Sequence, residues 1–155
     1  MGPSNSGKTE LICALLKWFA ARRLKAAVLK HSHKQIRGDA TKDTGRYRAA
    51  GGQLVALAAP GLLQINRAFD GEPDLIAILS QLAPDVDVIL VEGYKTSDLP
   101  KIGVLGPAAS SPLPDYPGVV AWISPTAPTT TLPVFQPSQV GEIGRFIQTQ
   151  LGFPC

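Results

Sequence analysis

Eight residues near the start of the chain constrain its fold more than any others. Gly2-Pro3-Ser4-Asn5-Ser6-Gly7-Lys8-Thr9 fits G-x-x-x-x-G-K-[ST] at every fixed position. Glycines let a backbone wrap an anion with its N–H groups turned inward. A helix that follows directs its positive end at the same anion. The pattern assigns Gly2, Ser4, Asn5, Ser6 and Gly7 to a phosphate cradle. It assigns Lys8 to the β- and γ-phosphates of a nucleoside triphosphate and Thr9 to Mg²⁺. An ordinary glycine-rich turn is the competing reading. Against it stands the amphipathic pattern directly after Gly7, with Leu11, Ile12, Leu15, Leu16 and Phe19 on one helical face.

Such a loop normally follows a buried strand, but only Met1 precedes Gly2. The first strand is therefore expected to be missing. Either residues upstream are absent from this chain, or the protein does without that strand. Beyond the first helix, Ala26–Leu29 reads as a buried strand, Gln53–Ala58 as another and Val86–Val91 as the clearest of all. Pro73 and Asp74 suit the start of a short helix through Leu82. Ile102–Leu105 and Val119–Ile123 are further strands. Ser138 is the expected cap of a final helix with Val140, Ile143, Ile147 and Leu151 inward. Strands alternating with helices predict an α/β fold, a P-loop NTPase-like, mostly parallel sheet flanked by helices. With 155 residues, a single domain spanning 1–155 is expected. Eight of the fourteen prolines lie between Pro107 and Pro137, so that segment should be loop-rich, with strands short or at an edge.

Val91-Glu92-Gly93 ends the clearest strand on a carboxylate. Ligands of open α/β sheets bind at the carboxyl ends of strands, which makes Glu92 a candidate Mg²⁺ partner and catalytic residue, with a solvated strand-end residue as the competing reading. Asp87 begins the same strand, at its far end, and reads as structural. The polar stretch from His31 to Arg48 is too polar for a core. Within it Asp39 and Asp43 are candidate Mg²⁺ or water-ordering groups, beside Lys42, Arg46 and Arg48; a solvated loop is the equal alternative. His31 and His33 lack the further ligands a zinc site needs. His31 follows a strand and is placed near the site. The net charge of +3 and the scarcity of interleaved aromatics argue against nucleic acid. No apolar run is long enough to span a bilayer and no signal peptide is evident, so a cytoplasmic location is expected. The two cysteines build no disulfide framework; Cys13 is expected to be a small buried residue of the first helix.

Taken together, these segments resemble the molybdopterin-guanine dinucleotide biosynthesis protein B (MobB) family. The resemblance is carried by Gly2–Thr9, by Val28-Leu29-Lys30-His31-Ser32-His33, and by Asp39 with Lys42-Asp43-Thr44 and Arg46. Val91-Glu92-Gly93-Tyr94-Lys95 with Pro100-Lys101-Ile102 is its most specific part. It implies a protein that binds GTP with Mg²⁺, has weak GTPase activity and is usually dimeric. Such a protein assists the molybdenum cofactor guanylyltransferase (MobA) that attaches GMP to molybdopterin. Gly2, Ser4, Ser6, Gly7, Lys8, Thr9, Asp39 and Glu92 match family positions, with Lys8, Asp39 and Glu92 catalytic and Thr9, Asp39 and Glu92 at the metal. Lys101 matches too and joins the nucleotide-binding set. Guanine preference rests on the resemblance; the loop Ser124-Pro125-Thr126 is where a base contact would fall. A small-molecule kinase and a nucleotide-binding module without turnover remain as alternatives.

Overall fold

The computed structural model describes residues 1–3, 5–32, 42–106 and 113–153. In chain order the elements are α1 (Lys8–Ala20), β1 (Ala26–Lys30), α2 (Asp43–Ala49), β2 (Leu54–Ala59), β3 (Leu62–Arg67), α3 (Leu75–Leu82), β4 (Val88–Glu92), β5 (Lys101–Val104), β6 (Val119–Ile123), β7 (Val134–Phe135) and α4 (Val140–Gln150). They fall into two compact units, Met1–His31 with Leu82–Cys155, and Ser32–Gln81.

The first unit is built on parallel strands. β1 pairs with β4 in register from Ala26↔Val88 to Lys30↔Glu92. β5, β6 and β7 form a second parallel group with β6 in the middle. The central position of β6 explains why Ala121, Trp122 and Ile123 are all buried. Gly103 lies opposite Trp122, and a β-carbon on it would run into the indole ring. β7 is two residues long at the edge of this group, as its proline-rich surroundings suggest.

α1 and α4 pack together and supply the helical side of the core. Leu15 and Phe19 are four residues apart, on one face, and meet Val88, Val104, Ile123 and Ile143. Burying each of these side chains contributes about 1.5–3 kcal/mol. Cys13 lies two residues from both Leu11 and Leu15, off that face. It is exposed, contrary to the buried position expected from the apolar run. At the other end of the chain, Gln139 rather than Ser138 occupies the N-cap of α4, and no side chain caps that helix. The Gln139 amide oxygen accepts from Gln136 N instead, at 2.7 Å. Leu151 follows the last helical residue and is half exposed rather than inward, because the chain leaves the helix there.

The second unit holds two elements for which the sequence offered weaker signals. β2 and β3 form an antiparallel hairpin, paired from Leu54↔Arg67 to Ala59↔Leu62, around Pro60-Gly61 with Gly61 at φ 75°. α2 has no buried residue, so no apolar period marks it. Asp74 precedes α3 and acts as its cap, accepting from Ala77 N at 2.8 Å.

Two glycines of α4 give a test of the α1–α4 packing. Alanine in place of a helical glycine normally stabilises by about 0.5–1 kcal/mol. At Gly141 the new β-carbon would lie 3.6 Å from Trp18 Nε1, an ordinary contact, and at Gly144 it would lie 2.5 Å from the Trp18 ring. Urea denaturation should therefore show Gly141→Ala neutral or stabilised and Gly144→Ala destabilised by about 1–3 kcal/mol.

Candidate functional site

The loop from Gly2 to Thr9 is tied to the end of β5. Met1 N donates to Ile102 O, and Met1 O accepts from Val104 N, both at 2.5 Å. Gly2 then passes so close to the Val104 carbonyl that a β-carbon would overlap it. Asn5 at φ 59° and Gly7 at φ 82° turn the loop through two left-handed residues, which asparagine and glycine accept most readily. Gly7 is the N-cap of α1 without a side-chain cap, and the first helical bond runs from Leu11 N to Gly7 O. The amides of Lys8, Thr9 and Glu10 thus have no acceptor within the helix, and an anion at this end would meet them together. Lys8 Nζ folds back over the loop, donating to Pro3 O at 2.5 Å and Ser6 Oγ at 3.3 Å. Ser6 is buried, while Thr9 is exposed on the first turn.

Glu92 ends β4, and its carboxylate is mostly buried, with Lys30 Nζ 3.3 Å from Oε2. The chain leaves the strand through Gly93 at φ 108° and Tyr94 at φ 47°. A β-carbon at Gly93 would lie 2.6 Å from the His31 β-carbon, so the glycine lets β1 and β4 close together at the site. His31 N donates to Glu92 O at 2.8 Å, and the His31 ring stacks on Tyr94 with centroids 4.4 Å apart. This aromatic pair was foreshadowed only by the place of His31 after a strand. Asp87 accepts from Lys25 N at 2.8 Å and is structural, as its position at the far end of β4 implies.

The Met1 ammonium is pushed down from 8.0 to about 6, chiefly by burial and next by the charge of Lys8; Glu92 pulls the other way, and Lys95 and Lys101 add to the lowering. The site is therefore rich in positive charge, with Glu92 as its carboxylate among these neighbours.

Lys101 begins β5, whereas the Gly2–Thr9 loop adjoins Val104 at the end of that strand. Three residues of strand separate the two by roughly 10 Å. The Lys101 side chain is buried and donates to Leu99 O at 3.1 Å and to Ser97 O. It latches the loop that leads from β4 back to β5. Ser124 is fully buried and its hydroxyl accepts from Thr126 N at 3.2 Å, closing its own turn. Asp43 belongs to the second unit, exposed, 4.0 Å from Arg46. Ser4, His33 and Asp39 lie outside the described residues.

The chain matches the family model for molybdopterin guanine dinucleotide synthesis protein B over residues 1–125. It is 34% identical over 116 residues to a molybdopterin-guanine dinucleotide biosynthesis adapter protein of Haemophilus influenzae, covering 74% of this chain and 65% of that protein. To a probable adapter protein of the same description from Bacillus subtilis it is 32% identical, covering 68% of this chain and 62% of the relative. The chain thus spans under two thirds of either relative's length. A crystal structure of Bacillus subtilis MobB superposes with a TM-score of 0.75 at 25% identity, over 96% of this chain and 93% of that one.

The latch gives Lys101 a role that can be separated from phosphate binding. Lys101→Met keeps the apolar stem and removes the donor. Thermal unfolding should show a loss of about 1–3 kcal/mol from the two unpaired carbonyls, with triphosphate affinity changed less than about threefold. A large affinity loss in a variant of unchanged stability would place Lys101 in the nucleotide site.

Proposed function

The chain belongs to the molybdopterin guanine dinucleotide synthesis protein B family, and from that membership we propose that it is a GTP-binding accessory protein of molybdenum cofactor biosynthesis. The observation that carries nucleotide binding is the loop itself. Left-handed Asn5 and Gly7, the free first-turn amides of α1 and the Lys8 ammonium converge on one place. A triphosphate there would replace Pro3 O and Ser6 Oγ as the partners of Lys8. Mg²⁺ takes hard oxygen ligands and keeps several waters, so one hydroxyl and one carboxylate suffice beside the phosphates. Thr9 and Glu92 are the described residues of that chemistry, and Asp39 is the third candidate. A Mg²⁺ ion held there by Thr9 and Glu92 would offset negative charge on the triphosphate.

Weak GTPase activity fits a site whose contribution is electrostatic. Lys8 and the loop amides stabilise charge on the transferred phosphoryl group. Glu92, held by Lys30, positions water or metal rather than acting as a strong base. The proposed partners are the molybdenum cofactor guanylyltransferase (MobA), with molybdopterin as the acceptor that partner works on, in the cytoplasm. No helix of the described residues is long and apolar enough to cross a membrane. A homodimer is supported by the second unit. Directly paired residues share one face of a hairpin, which places Leu54, Ala56, Ala58, Leu63 and Ile65 together, all exposed.

Titration calorimetry tests the nucleotide assignment. Lys8→Ala should weaken GTP binding at least about tenfold, some 1.4 kcal/mol, and leave guanosine binding unchanged. Thr9→Ala should remove mainly the Mg²⁺-dependent part. GTP should outcompete ATP; equal binding of ATP with phosphorylation of an added small molecule would favour the kinase reading. Glu92→Gln should keep GTP affinity and slow hydrolysis by at least about tenfold. If wild type, Glu92→Gln and Lys8→Ala release phosphate at one rate, the protein is a binding module without turnover.

The dimer is tested separately. Ile65→Lys places a charge on the apolar hairpin face, and sedimentation velocity at micromolar concentration should show the dimer shifted to monomer with the melting temperature nearly unchanged.

A further inference from the structure

The half-buried indole of Trp18 lies on the seam between α1 and α4 in the first unit. The Arg22 guanidinium sits over its ring, 3.8 Å from the centroid. On the α4 side, a β-carbon at Gly141 would lie 3.6 Å from Trp18 Nε1 and 3.8 Å from Arg145 Nη1. Gly141 has no side chain, so these two nitrogens border a notch over bare helix backbone. Both are donors only. Among the described residues Trp18 Nε1 has no acceptor. Arg145 is loosely held, with Glu142 Oε1 3.8 Å from Nη2 and both side chains about half exposed.

Positive charge continues beside the notch. Lys17, Arg22 and Arg23 are exposed, and among the described residues none of them pairs with a carboxylate. Arg23 stands at φ 61°, in the helix-ending turn where Leu24 N donates to Phe19 O. Glycine is the usual residue at such a place, and the chain keeps an arginine there. The negative end of α1 accounts for part of this charge. Arg22 Nη1 donates to Trp18 O at 3.4 Å in that manner. It does not account for Arg145, which belongs to the other helix and leans over Gly141.

We propose that this face is a docking surface for an acidic segment of a partner protein, with one aspartate or glutamate side chain seated in the notch between Trp18 Nε1 and Arg145. Both donors lie within 4 Å of one point above Gly141, so the two oxygens of one carboxylate can take a bond from each. The notch is one residue wide and open, too shallow to enclose a small molecule. Binding strength must come from the surrounding face, and tryptophan and arginine are the residues that dominate protein interfaces. Single-stranded nucleic acid asks for open aromatic faces. Here Arg22 lies over the indole and Gly144 packs against its six-membered ring. Lys8 and Trp18 are separated by roughly 15 Å along α1. The face and the Gly2–Thr9 loop can therefore be occupied together, and the inference does not rest on nucleotide binding.

The probe is a fluorescein-labelled peptide of about fifteen glutamates, titrated at low salt and followed by anisotropy. Arg145→Gln and Gly141→Ala should each weaken its binding at least about fivefold. Gly141→Ala fills the notch at no loss of thermal stability. Arg67→Gln removes an equal charge from β3 and should change the affinity less than about twofold. Of the two tryptophan indole N–H resonances, that of Trp18 should move downfield on adding peptide while that of Trp122 stays in place. Absence of binding, or equal affinity in the three variants, would overturn the proposal. So would an oligothymidylate of the same length binding more tightly than the peptide through the same residues, which would make this a nucleic-acid face.

Discussion

The close crossing of Gly2 over the Val104 carbonyl leaves no room for a side chain, and the position of the Gly2–Thr9 loop follows from it. On one side of that crossing, Met1 is bonded to β5 through Ile102 and Val104. On the other, the loop turns through Asn5 and Gly7 into α1. α1 in turn places Leu15 and Phe19 against Val88, Val104, Ile123 and Ile143. The same helix therefore presents its free amides at one end and anchors the core along its length. Stability and the proposed anion binding share one element, so distortion of the helix start would be felt in both.

Charge at the site is arranged by strand ends. Parallel pairing brings Lys30 and Glu92 side by side at the carboxyl ends of β1 and β4, within 3.3 Å. Gly93 allows that closeness, and the left-handed pair Gly93-Tyr94 then swings the chain away while Tyr94 stacks on His31. A non-glycine residue at positive φ is a strained feature, and such features persist where the surroundings hold them. Here the His31 ring and the β1–β4 ladder do so. Lys101 uses its charge differently. It satisfies two carbonyls of the connection between β4 and β5, a structural task that its sequence neighbours Pro100 and Ile102 do not reveal.

Several elements were legible because their signal is local. The apolar faces at i, i+4 gave α1 and α4, and continuous apolar runs gave β1, β4 and β6. The glycine spacing gave the tight turn at Asn5 and Gly7 that leads into α1. The hairpin partner β3 is marked in the sequence only by Pro60-Gly61 between two apolar runs, a turn signal. α2 left no periodic trace, since a helix that buries nothing needs no apolar stripe. Cys13 and Ser138 each depart from one local rule. An apolar run does not tell which residue faces outward until the helix has a partner. A serine near a helix start caps only if the chain enters at its position.

The sequence by itself determined the glycine turn that opens α1, the alternation of strands and helices, and Glu92 at the end of β4. Each of these depends on residues within a few positions of one another, where spacing along the chain already sets spacing in space. Tertiary structure alone decided that Lys101 latches a loop, that His31 and Tyr94 meet, and that Gly144 must yield to Trp18. Those outcomes depend on residues distant in sequence and brought together by strand pairing and helix packing, whose register no local pattern encodes.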